Sequence, residues 1–150
     1  MKHVIYLIGS LRNKAIPDLG NFFRKELQCE VFDDWFSAGP IADDSWHDFE
    51  KARGTSYPDA LKGYPARHVF AFDKMHLERS SIVILALPAG KSGHLELGWS
   101  LGKGKAGYVL FDGEPERWDV MYQFANGVFY DKRDLAAHIK KDHFSFPVTG

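Results

Sequence analysis

The sequence predicts an α/β domain, a three-layer sandwich of helices around a mainly parallel sheet of four or five strands. Three observations predict it. Short runs rich in β-branched residues at 3–8, 30–32, 82–87 and 107–111 read as strands, and the run at 82–87 is apolar throughout, as a strand buried on both faces must be. Segments of helical spacing separate these runs, so strand and helix alternate along the chain. The strands end in small or acidic residues (Gly9-Ser10, Asp33-Asp34, the loop 88–93 and Asp112), and open α/β sheets bind ligands beyond those carboxyl ends. Together these describe a single-domain, Rossmann/flavodoxin-like arrangement.

After the first strand, Leu19, Phe22, Phe23 and Leu27 mark a helix over 17–28, with Pro17 in the first turn where its missing N–H costs little. Residues 30–32 form the second strand. From 35 to 64 the periodicity fails around Gly39-Pro40, Gly54, Pro58 and Gly63, with a helical turn or two near 46–53. A connection of that length reads as a lid or binding loop. A helix over 66–79 follows. The stretch 81–105, SIVILALPAGKSGHLELGWSLGKGK, then combines strand, small-residue loop and a helix starting near Gly93. Beyond the strand at 107–111 come a turn, a helix over 118–125, a short strand at 128–130 and a last helix from Asp131 to about 141.

At 150 residues the chain is long enough for one domain with a real core. Its net charge of −1, with acids and bases interspersed, leaves no basic stripe, so no nucleic-acid polymer is expected as a partner. The lone Cys29 excludes an internal disulfide and a multi-cysteine zinc site. The apolar run in MKHVIYLIGS is too short for a secretory leader, and nothing approaches a membrane span. The expected setting is reducing and cytoplasmic, without a membrane partner.

Two carboxylates stand out. Glu96 lies early in the helix after the loop 88–93, where the helix dipole favours an acid and where Ser92 or Gly93 serves as N-cap. On a helical wheel it shares a side with Gly93, Ser100 and Lys103, away from Leu95, Leu97, Trp99 and Leu101. That side is a solvated face or the floor of a polar cleft. Asp73 projects from an apolar arc of Val69, Phe70, Phe72 and Leu77, a costly place for a charge unless it is paired or lines a cavity. Burial there would raise its pKa, as suits a proton donor or base; the plainer reading is a structural acid bonded to Arg67 or a backbone amide. Two carboxylates in different environments are the usual equipment for cleaving a glycosidic bond.

Other groups could hold a substrate. Gly9, Ser10 and Arg12 offer backbone donors, a hydroxyl and a guanidinium suited to phosphate, although no Walker or dinucleotide fingerprint is present. Gly90, Ser92 and Gly93 expose backbone N–H groups at the start of a helix. Asp33 ends the second strand, and Trp35, Phe36 and Trp46 could stack on a base or simply pin the long loop to the core. His68 and His76 diverge from Asp73 along their helix, so no metal site is expected.

With these residues in place, the chain resembles the nucleoside 2-deoxyribosyltransferase family and the related 2′-deoxynucleoside 5′-phosphate N-hydrolases. IYLIGS is similar to the family's first strand and loop. Asp73 ahead of HLERSSIVIL matches the acid before its central strand, and SGHLELGWSLGKGK resembles the segment around its nucleophilic glutamate, which falls on Glu96. DVMYQFANGV resembles the segment carrying an Asn-x-Met pair, here Asp119 and Met121. The resemblance implies a retaining displacement in which Glu96 attacks C1′, Asp73 manages the proton and Tyr6 orients Glu96. It places His94 in the substrate-binding segment and implies no cofactor and no metal. It also implies a homo-oligomer with sites shared between subunits, Asp119 and Met121 standing at the sugar's 5′ end. The sugar then passes to another base or to water. Ser10 and Arg12 resemble the hydrolases' phosphate grip, whereas Asp119 replaces an uncharged residue and would repel a phosphate. The small-molecule partner is therefore a nucleoside or a nucleoside 5′-monophosphate. A nucleotide-sensing domain and a TIR-like NAD-cleaving module are the rival readings.

Overall fold

The structure is a computed structural model that describes residues 2–145. Five strands, β1 (Val4–Ile8), β2 (Glu30–Phe32), β3 (Ile82–Ala86), β4 (Ala106–Leu110) and β5 (Gly127–Phe129), form one sheet in the order β2-β1-β3-β4-β5. Every pair is parallel, with Tyr6 opposite Val83 and Ile84 opposite Tyr108. This is the flavodoxin-like order, whose chain reverses direction of travel between β1 and β3. The loops leaving those two strands begin with Gly9 and Leu87 and meet there, the Leu87–Pro88 peptide being cis.

Alternation along each strand sorts its side chains into two apolar layers. Ile5, Leu7, Ile82, Ile84, Tyr108 and Leu110 face α1 (Ile16–Leu27) and α6 (Lys132–Ile139), meeting Phe23, Leu27 and Leu135. Tyr6, Ile8, Val83, Leu85 and Val109 face the other way, toward α4 (Tyr64–Arg79) and α5 (Lys91–Gly102), and meet Leu77 and Leu97. All five residues of β3 are buried. The helix α1 starts with Pro17 in its first turn and closes on Gln28, whose left-handed φ of 53° lets its N–H return to the Arg24 carbonyl.

The long aperiodic stretch is more ordered than the sequence suggests. It holds a 3-10 turn, Asp34–Ala38, then α2 (Ala42–Ala52) and α3 (Tyr57–Lys62). Its prolines are helix starters: Pro58 sits in the first turn of α3 behind the Ser56 cap, and Pro65 in the first turn of α4. The inward residues of α2 include Trp46 and Glu50 in place of an aliphatic stripe, so spacing showed only the turn or two near 46–53 and not the whole helix. Conversely, the helix expected at 118–125 is only the 3-10 turn Val120–Phe124. Asn126 ends it: its N–H donates to the Gly107 carbonyl and its side-chain oxygen accepts from the Gly107 N–H, both at 2.8 Å, drawing the chain into the sheet edge. The last helix runs into a π-helical turn, Lys140–Phe144. The end of the irregular tail, 146–150, lies outside the described residues.

Candidate active site

Three titratable side chains from three elements meet on the α4/α5 side of the sheet. Tyr6 comes from the middle of β1 and is 1% exposed. Asp73 comes from α4 and Glu96 from α5, both part-buried. The Tyr6 hydroxyl is near enough to the Glu96 carboxylate to favour its charged form. Burial pushes the Glu96 carboxyl up to about 7; the Tyr6 hydroxyl draws it down, and the charge of Asp73 pushes it further up. Burial likewise raises the Asp73 carboxyl. The Tyr6 hydroxyl is held far above its ordinary range by burial first, and then by the charges of Glu96 and Asp73. The two acids and the phenol therefore sense one another.

Glu96 is part-buried, so of the two helical-wheel alternatives the solvated face does not hold. The helix starts at Lys91 with Gly90 as N-cap, so Glu96 lies in the second turn and has no first-turn dipole stabilisation. Its side of the helix faces the sheet: Gly93 and Ser100 are buried, whereas Leu95, on the opposite side of the wheel, is 74% exposed. Gly93 permits this approach. A Cβ there would stand 3.1 Å from methyl groups of both Ile8 and Leu85, on the two strands flanking the crossover point. The Ser100 hydroxyl is satisfied locally by the Glu96 carbonyl at 2.8 Å. The apolar arc on α4 is corrected too, since Val69, Phe70 and Phe72 are exposed and Leu77 alone of that set is buried. Arg67 stands six residues from Asp73, and no ion pair joins them among the described contacts.

The remaining candidates divide by what they already touch. At the crossover, a Cβ on Gly9 would come within 2.6 Å of Ile16 Cδ1 and 3.5 Å of the Ala86 carbonyl, so backbone passes close to backbone there. The Ser10 hydroxyl accepts from the Arg12 N–H at 3.1 Å, and the Ser10 carbonyl accepts from the Asn13 N–H at 3.0 Å, shaping a tight turn. The Arg12 side chain is exposed and faces Asp44 of α2 at 4.0 Å. Gly90 and Ser92 lie open at the start of α5.

Asp33 and Trp35 have structural occupations. Asp33 is paired with Arg24, which also donates to the Val31 carbonyl at 2.9 Å, and a Cβ on Gly20 would strike the Asp33 carboxylate at 1.9 Å. The Trp35 indole N–H donates to the Leu7 carbonyl at 2.8 Å and pins the 3-10 turn to the end of β1. Asp119 caps the turn Val120–Phe124 by accepting from the Met121 N–H at 2.8 Å, and Met121 is exposed. His94 donates from Nδ1 to the Gly90 carbonyl at 2.8 Å, which leaves Nε2 to accept from the Tyr122 hydroxyl at 2.9 Å. The sequence reading missed Tyr122 and Asp44. Met121, next to Tyr122 in a motif, was the signal for the one; no spacing singled out the other. Among the described residues no cluster of His, Cys, Asp or Glu is arranged to hold a metal ion, and no helix is long and apolar enough to cross a membrane.

An open parallel sheet with two carboxylates and a phenol gathered on one side of it defines an α/β domain and its candidate site. Comparison with solved structures agrees on the fold. A conserved protein from Enterococcus faecalis V583 superposes with a TM-score of 0.62 at 13% identity, over 94% of this chain and 99% of that one. The CMP N-glycosidase BcmB of Clostridium botulinum superposes with a TM-score of 0.51 at 16% identity, over 91% and 98%. At such identities the likeness is one of fold. No family model matches the sequence, and no curated protein matches it.

Proposed function

We propose that this protein cleaves the N-glycosidic bond of a (2′-deoxy)nucleoside or nucleoside 5′-monophosphate through a glycosyl ester on Glu96. The observation that carries the reading is the Glu96 carboxyl, raised to about 7 by burial and in reach of both the Tyr6 hydroxyl and the Asp73 charge. The fold shared with an enzyme described as a CMP N-glycosidase supports the same bond as the target.

Ionised Glu96 attacks C1′ on the face opposite the base. As the ester bond forms, the C1′–N bond breaks and its electron pair leaves with the base. Asp73 shuttles a proton to that departing nitrogen, its raised carboxyl easing the transfer. Water or a second base then attacks C1′ and gives its proton to the Asp73 carboxylate, the ester bond breaks, and the electron pair returns to Glu96 as carboxylate. Two displacements at one carbon retain configuration. Tyr6 holds Glu96 in line, and its own proton stays in place because burial and both acids oppose its loss.

The active form is a homo-oligomer. Phe70 on α4 (67% exposed) and Phe124 beside the capped turn (72% exposed) belong to apolar surface that a second copy would cover. That copy would bring its Asp119 and Met121 to the sugar's 5′ end.

The test is base release. The protein is incubated with nucleosides, nucleoside monophosphates and NAD, with and without a free acceptor base, and products are separated by chromatography. Release without acceptor identifies a hydrolase, and release only with acceptor a transferase. No release from any of them defeats the reading and favours a sensor.

A further inference from the structure

His94 belongs to the segment expected to contact substrate, yet both its ring nitrogens are engaged inside the protein. The Gly90 carbonyl can only accept, so Nδ1 carries the proton and Nε2 takes the Tyr122 hydroxyl proton at 2.9 Å. Tyr122 is fixed from its other side as well. Its ring meets Phe111 edge-on at 5.4 Å, and Phe111 in turn stacks on Tyr130 at 5.2 Å. The Phe111 N–H donates to the Phe129 carbonyl at 2.8 Å, which anchors this ladder in the sheet. Burial and the charge of Asp119 both raise the Tyr122 hydroxyl, so it stays a donor.

The consequence is mechanical. Tyr122 sits in the turn Val120–Phe124 that Asp119 caps, and His94 sits in the first turn of the helix carrying Glu96 two residues further on. The neighbours of Tyr122 in that turn (Val120, Met121 and Phe124) are exposed, so they do not tie it to the body of the protein. The geometry points to Tyr122 as a positioning residue: its bond to His94 fixes the turn carrying Asp119 and Met121, the pair one copy presents to its neighbour's site, and so tunes substrate binding without touching substrate. This rests on the glycosidase reading above.

Tyr122→Phe removes one oxygen and keeps the ring on Phe111. Two measurements are made on the full chain: hydrogen–deuterium exchange, and steady-state base release with the substrate cleaved fastest by the wild type. The expected result is several-fold faster exchange over 120–125 with unchanged exchange in β3. KM rises several-fold while kcat stays within about twofold. His94→Ala reproduces the effect, and His94→Gln, which keeps an acceptor near the hydroxyl, recovers part of it. Unchanged exchange overturns the proposal, and so does faster exchange with unmoved KM. A wild type that releases no base defeats the glycosidase reading and this proposal together; an active wild type with unmoved KM defeats the proposal alone.

Discussion

At the scale of single residues, the energetics of Glu96 link stability to chemistry. Its carboxyl is raised from the usual 4.5 to about 7, chiefly by burial. A raised acid favours the folded state while protonated, and that advantage is lost as pH climbs from 4.5 through 7. Over that window the folded chain gives up roughly 3 kcal/mol to keep an ionised carboxylate under cover. Glu96→Gln should therefore raise stability at pH 8 by up to about 3 kcal/mol and leave it unchanged near pH 4, as urea titrations at the two pH values would show. The same variant should release no base; near-normal turnover would remove Glu96 from the mechanism. The partners of Glu96 make opposite predictions. The Tyr6 hydroxyl lowers the Glu96 pKa and the Asp73 charge raises it. In Tyr6→Phe the ascending limb of kcat/KM against pH should move to higher pH, and in Asp73→Asn to lower pH, with a slower base departure. Limbs that move the same way, or not at all, would separate these groups from the nucleophile.

At the scale of elements, the glycines decide how closely helix and sheet approach, and they show why some of the architecture was legible. The apolar run of β3 and the spacing of α1 declare themselves because β3 is buried along its whole length and α1 carries one core-facing stripe. The face of α5 that meets the sheet does not, because it is built from Gly93, Ser100 and Glu96, which a wheel leaves as either a solvated face or the floor of a polar cleft. Leu95 misleads for the converse reason, being a large apolar residue left outside. The meeting of Tyr6, Asp73 and Glu96 was implied by resemblance and by no local spacing, since β1, α4 and α5 are brought together only by the crossover of the sheet. Asp33 and Trp35 could have served a ligand as far as sequence tells. Their commitments to Arg24 and Leu7 exist only in three dimensions. The close seat of α5 yields its own prediction. Gly93→Val would drive a branched side chain into Ile8 and Leu85 and lift the helix, costing about 1–3 kcal/mol in urea titrations. Water admitted beside Glu96 would bring its pKa down toward 4.5, shifting the ascending limb to lower pH along with the loss of stability.

At the scale of the whole molecule, the apolar surface left by one chain is unevenly placed. Along α4, Val69, Phe70, Phe72 and Met75 are exposed, while Leu77 alone is buried. Trp118, Val120, Met121 and Phe124 form a second exposed group around the capped turn. Scattered apolar residues are ordinary on a monomer, but runs of aromatic and aliphatic side chains on one helix and one turn are what an interface leaves behind when its partner is removed. If a second copy covers them, the melting temperature should rise with protein concentration, because association adds stability only to the folded state. Phe70→Glu places a charge in that surface and should yield a smaller particle by analytical ultracentrifugation, with a melting temperature independent of concentration. Base release should fall in the same variant although Phe70 is remote in sequence from Glu96, because the proposed shared site would need the neighbour's turn in place. The Tyr122→Phe variant should keep its wild-type mass while its KM rises, which distinguishes a misplaced turn from a missing neighbour. A wild type that sediments as a single chain at all concentrations and still turns over would mean that each chain completes its own site.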